Sequence, residues 1–61
     1  MYKYIVYFKD GRQCEVIADY ISHFSDEIIF QNKMKKTVAW FDPEEIVGYV
    51  LSEEMEVKNE N

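Results

Sequence analysis

Asp10-Gly11, set between two runs of β-branched and aromatic residues, constrains this chain more than any other feature. From Tyr2 to Lys9 and from Arg12 to Tyr20 the residues favour extended backbone, and Lys9-Asp10-Gly11 is a turn signal, so the N-terminal part predicts a β-hairpin. Sidedness decides its register. A two-residue Asp-Gly turn would set Val6 opposite Glu15 and Phe8 opposite Gln13, mixing apolar with polar. A three-residue loop with Gly11 in the left-handed region sets Val6 opposite Cys14, Tyr4 opposite Val16 and Tyr2 opposite Ala18, which makes one face uniformly apolar. The other face then carries Lys3, Gln13, Glu15 and Asp19 as expected of a solvated surface, but also Ile5, Tyr7 and Ile17. Those three are either covered by a later strand or form a contact patch.

Beyond Tyr20, alternation lapses through Ile21-Ser22-His23-Phe24-Ser25-Asp26, where the second strand is expected to bend or bulge. Residues 27–31 predict a third strand, Asn32 to Lys36 a polar turn, and Thr37 to Phe41 a fourth strand. Whether Val38 and Trp40 or Ala39 and Phe41 face inward is open at this level. Asp42-Pro43-Glu44-Glu45 carries a helix-start signal: a capping Asp, a Pro suited to the first helical position and an acid placed to reach back, with Phe41 and Ile46 as a staple. Ile46-Val47-Gly48-Tyr49-Val50-Leu51 disfavours helix. One helical turn leading into a fifth strand is therefore preferred. The spacing of Ile46, Val47, Val50, Leu51 and Met55 also fits one helical face, and the alternative is a four-stranded sheet with a C-terminal helix from about residue 43.

The expected fold is thus all-β, a small five-stranded SH3-like barrel with a one-turn helix before the last strand. It occupies residues 1–52, with residues 53–61 as an acidic flexible tail. The stretches YIVYFKDGRQCEVIAD, DEIIF and VAWFDPEEIVGYV, spanning most of residues 2–51, resemble a loose group of short SH3-like proteins found in phages of Gram-positive bacteria and in their hosts. The resemblance implies fold and genetic setting. It carries no chemical motif across, because proteins of this look are mostly of unknown activity.

At 61 residues the chain is one domain, and a chain so short buries only about 60% of the surface its unfolded form exposes, which leaves no room for a deep substrate pocket. Its one cysteine rules out an internal disulfide and points to a reducing cytoplasm. The apolar opening, Met1 to Phe8, is short and broken by Lys3, so neither export nor a membrane span is expected. Seven basic residues oppose twelve acidic ones, for a net charge of −5, and residues 53–61, with four glutamates against Lys58, carry net −3 of it. Such a balance argues against nucleic acid as partner, even though Lys3, Lys9, Arg12 and the turn lysines Lys33, Lys35 and Lys36 could meet phosphates beside aromatic strands.

No catalytic constellation converges. Cys14 turns inward in the chosen register and reads as structural, and His23, between Ser22 and Ser25, reads as a solvated loop residue. Zinc would need more Cys and His ligands than these two, and the acidic clusters lack the spacing of a calcium loop. The chain is accordingly expected to be no enzyme and to hold neither metal nor cofactor. Its excess is aromatic: five Tyr, four Phe and one Trp. Ile5, Tyr7, Ile17, Trp40 and Tyr49 are the candidate protein interface, and the expected function is a non-catalytic interaction module that binds itself as a homodimer or a host or phage protein. The alternative is an acidic nucleic-acid mimic that inhibits a DNA-handling or defence enzyme, with Glu44, Glu45, Glu53, Glu54 and Glu56 as its carboxylates.

Overall fold

The computed structural model describes residues 1–55. β1 (Tyr2–Phe8) and β2 (Gln13–Ala18) form the expected hairpin, with Tyr2 opposite Ala18, Tyr4 opposite Val16 and Val6 opposite Cys14. The loop has three residues. The Phe8 N–H donates to Arg12 O (2.8 Å), the Gly11 N–H donates to Phe8 O (3.0 Å), and Gly11 has φ 93°, where a side chain would be strained. Asp10 reinforces the turn by accepting from the Arg12 N–H (3.0 Å) and Nε (2.7 Å).

After β2 the chain makes a corner. The N–H of Asp19 donates to Gln31 O (2.8 Å) while Gln31 also pairs with Tyr20, so two residues stand against one, as in a β-bulge. The bend falls at Asp19 rather than after Tyr20, and Tyr20–His23 continues as a separate strand, β3. A tight turn, closed by the Phe24 N–H on Glu27 O (2.8 Å), leads to β4 (Ile28–Gln31), and a second hairpin to β5 (Thr37–Phe41). In that hairpin the Asn32 N–H donates to Lys36 O (2.9 Å) and the Lys35 N–H to Asn32 O (2.9 Å), with Lys35 at φ 62°. It is the same three-residue loop as the first, with lysine in the left-handed position. Phe30 opposes Ala39 and Ile28 opposes Phe41, which turns Ala39 and Phe41 inward and leaves Val38 and Trp40 exposed.

β6 (Ile46–Glu54) returns antiparallel to β1. The expected architecture is corrected here. Six strands form two open three-stranded sheets, β2-β1-β6 and β3-β4-β5, instead of a five-stranded SH3-like barrel, and no helix is present among the described residues. Both the one-turn helix and the C-terminal helix from about residue 43 are absent. The Asp42 side chain accepts from the Glu44 N–H (2.9 Å) and its carbonyl from the Glu45 N–H (3.0 Å), so the capping residues build a turn. The β-branched run beyond it gains more from a full ladder on β1 than from helical propagation. β6 continues through Glu53 and Glu54, past the boundary expected at Ser52; residues 56–61 of the expected tail lie outside the described residues.

The sheets share one core. Val6, Val16, Ala18, Ile28, Phe30 and Ile46 are buried, and Phe30 and Val6 fully so. Tyr4, Tyr49 and Phe41 meet the Phe30 ring edge-on, with centroids 5.6, 5.5 and 5.6 Å away, and Phe8 meets Phe41 at 5.8 Å. Much of the aromatic excess is therefore packing, in the geometry that aromatic quadrupoles favour.

Candidate functional site

Alternation along a strand sends neighbouring residues to opposite faces, so an inward Tyr4, Val6 and Phe8 force Lys3, Ile5 and Tyr7 outward. The pairings fix the outer face of the first sheet as three rows read from β2 through β1 to β6. Gln13, Tyr7 and Gly48 form one row, Glu15, Ile5 and Val50 the next, and Ile17, Lys3 and Glu53 the last. Among the described residues, no strand covers this face. Tyr7, Ile17 and Val50 remain 38%, 45% and 48% exposed, and Ile5 is half-buried between its neighbours. Lys3 Nζ stands 3.7 Å from Glu53 Oε2 at one end, and Gly48 leaves bare backbone beside Tyr7 at the other. Tyr7, Ile5 and Val50 thus form a contiguous apolar centre inside a ring of Lys3, Glu15, Gln13 and Glu53.

Three of the five candidate interface residues, Ile5, Tyr7 and Ile17, come together here. Trp40 does not join them. It lies on the outer face of the second sheet, opposite Ile29, and its indole N–H donates to Glu27 Oε2 at 2.9 Å. On the same face Lys35 Nζ lies 4.1 Å from the centroid of the Tyr20 ring, a cation–π contact. Tyr49 points the other way, into the core, where it meets Tyr4 and Phe30 and shares a hydrogen bond with His23 Nε2. His23 is correspondingly a strand residue that ties β3 to β6 across the two sheets. Val50 is the member of the patch that the sequence does not reveal, since only its pairing with Ile5 places it there.

The candidate mimic carboxylates are divided. Glu44 and Glu45 are exposed in the turn before β6, whereas Glu53 and Glu54 close its far end, roughly 25 Å away for a strand of nine residues. Lys3 partly neutralises Glu53. Glu56 lies outside the described residues.

Other ionisable groups act locally. Burial, then the neighbouring Tyr2 and Tyr49 hydroxyls and the Asp19 carboxylate, push the Tyr4 pKa up. The Arg12 backbone N–H and, behind it, the Arg12 guanidinium hold the Asp10 carboxyl below its ordinary value. The Asp19 carboxylate, nearly buried, pairs with the α-ammonium group of Met1 at 3.1 Å. Cys14 is a free thiol packed against the core. Among the described residues, no three of His, Cys, Asp and Glu gather where they could hold a metal ion, and no helix is long and apolar enough to cross a membrane. Comparison with protein-family models, curated proteins and solved structures gives no match, so the outer face of the first sheet is read on its own chemistry.

Proposed function

We propose that this protein is a non-catalytic interaction module of the cytoplasm and that it binds a protein surface through the outer face of the β2-β1-β6 sheet. The observation that carries the reading is the cluster of Tyr7, Ile5, Val50 and Ile17 on one three-stranded face that no described strand covers. An aromatic and aliphatic centre within a polar ring is the composition of a small protein-binding patch. The free thiol of Cys14 suits a reducing compartment. Against the nucleic-acid-mimic alternative stands the separation of the acidic pairs at the two ends of β6, which denies them the regular spacing of a phosphate backbone.

Unfolding and association measured on the same variants test the proposal. Tyr7→Ser and Ile17→Lys should each cost about 1 kcal/mol of stability or less, because the side chains are only part-covered by cross-strand neighbours. Association should weaken by more than about 1 kcal/mol, as at a hot spot. Variants that lose the 2–5 kcal/mol typical of a core truncation, with association unchanged, would make this face a structural surface instead.

A further inference from the structure

We infer that the occupant of this face is a second copy of the same chain, docked about a twofold axis that runs through Ile5 and Ile17 and sets the strands of the two copies at right angles. The inference rests on the interaction-module reading and adds the partner and the geometry. It follows from the nine-position grid given by the pairings. Two identical faces brought together by a twofold axis lying between them superpose each position on its mirror position across that axis. Four such axes keep the grid centred on Ile5.

An axis along the strands sets Glu15 on Val50 and Ile17 on Glu53 of the other copy, burying charge against hydrocarbon. An axis across the strands sets Glu15 on Glu15. One diagonal places Glu53 on Glu53 and Lys3 on Val50. The other diagonal, through Ile17, Ile5 and Gly48, matches every position: Ile5 meets Ile5, Ile17 meets Ile17, Tyr7 meets Val50, Lys3 meets Glu15 and Gln13 meets Glu53. Bare Gly48 falls on the axis as well, and the flanking Tyr7 and Val50 side chains of both copies fill the space above it.

Crossing at a right angle is one of the two standard ways for sheets to stack. On β1 and β2 alternate residues are about 6.7 Å apart and neighbouring strands about 4.8 Å, so the diagonal superposition of Lys3 on Glu15 is off by roughly 2 Å, within reach of both long side chains. On β6 the register shift that leaves Ser52 unmatched between Val50 and Glu53 makes Gln13 on Glu53 the loosest of the matches. The charges do more than tolerate the arrangement, since it forms two Lys3–Glu15 pairs per dimer and juxtaposes no like charges. A face three short strands wide covers much less than the ~800 Å² per partner of a standard interface, which makes the dimer a weak, concentration-dependent one.

Charge reversal with mixing tests the geometry. In Lys3→Glu the crossing pairs become acid against acid, and in Glu15→Lys base against base, so each variant alone should dimerise at least about tenfold more weakly than the parent chain in sedimentation equilibrium. An equimolar mixture of the two should recover association as a heterodimer, because every crossing pair is again of opposite sign. The double variant, tested alone, should also dimerise, which supplies a second route to the same result if one single variant folds poorly.

A parent chain that stays monomeric up to about 1 mM overturns the inference, as does a dimer that neither reversal weakens. Ile17→Lys in the same experiment separates the two claims. If it abolishes a dimer that the reversals leave intact, the face binds but not at right angles. If it too changes nothing, the dimer uses another surface and the interaction-face reading falls with it.

Discussion

Phe30 shows how little redundancy a 61-residue chain has. Its ring is fully buried and meets Tyr4, Phe41 and Tyr49 edge-on, so it joins both sheets through one side chain. Phe30→Ala should cost about 3–5 kcal/mol, against a total stability of roughly 3–9 kcal/mol for a domain of this length. The variant is expected to be largely unfolded or to melt tens of degrees lower, read by thermal denaturation. Trp40→Ala is the matched control, because a larger side chain is removed from an exposed position. It should cost about 1 kcal/mol, most of it the cross-strand contact and the bond to Glu27. Equal losses for the two would contradict the placement of the core in the layer between the sheets. From sequence alone Phe30 and Trp40 are equivalent aromatic residues in strand-like runs. Only the pairing of Ile28 with Phe41 and Phe30 with Ala39 tells which ring faces inward.

At the scale of the element, the two hairpins are the same loop written in two sequences. Lys9-Asp10-Gly11 has a glycine at the left-handed position, and the register of β1 on β2 is legible from it. Lys33-Met34-Lys35 has a lysine there, at φ 62°, and although Asn32 to Lys36 reads as a polar turn, no glycine marks the left-handed position, which is why the inward face of β5 stays open until the fold is known. The difference is measurable by urea unfolding. Gly11→Ala should destabilise by about 1 kcal/mol or more, since the residue introduced is forced to positive φ. Lys35→Gly removes a strained conformation worth about 1–2 kcal/mol but also the contact of Lys35 with Tyr20, worth about 0.5–1 kcal/mol, so a net gain of up to about 1 kcal/mol is expected. A loss at position 35 as large as that at position 11 would contradict a shared loop geometry. The Asp42-Pro43-Glu44-Glu45 segment teaches the converse. Its local chemistry begins a helix, and the turn it makes instead reflects a competition that capping residues do not enter, between propagation through Ile46, Val47 and Val50 and nine residues of strand laid along β1.

For the whole molecule, the legible part of the candidate site is the part that lies within one hairpin. Ile5, Tyr7 and Ile17 fall on one face because the Asp-Gly loop fixes their phase. Val50 and Gly48 reach it from the far end of the chain, through a β1–β6 pairing with two register shifts, one leaving Val47 unmatched beyond the Tyr7–Gly48 row and one leaving Ser52 unmatched between the Ile5–Val50 and Lys3–Glu53 rows. No local pattern encodes such shifts. Trp40 and Tyr49, chosen for residue type, are drawn away by the second sheet and by the core. The division of the chain into two open sheets with a shared interior leaves apolar side chains exposed on the outer face of each, Tyr7, Ile17 and Val50 on the β2-β1-β6 side and Trp40 and Tyr20 on the other, and the central claim is that the β2-β1-β6 face is where the molecule binds. A dilution series followed by methyl and amide NMR on the parent chain tests it most directly. Between about 1 mM and about 10 μM the signals of Ile5, Tyr7, Ile17 and Val50 should shift progressively, while those of Phe30 in the core and of the Trp40 indole on the opposite sheet stay fixed. Shifts confined to Trp40, Tyr20 and Ile29, with the first face unchanged, would contradict the claim by placing the contact on the other side of the molecule.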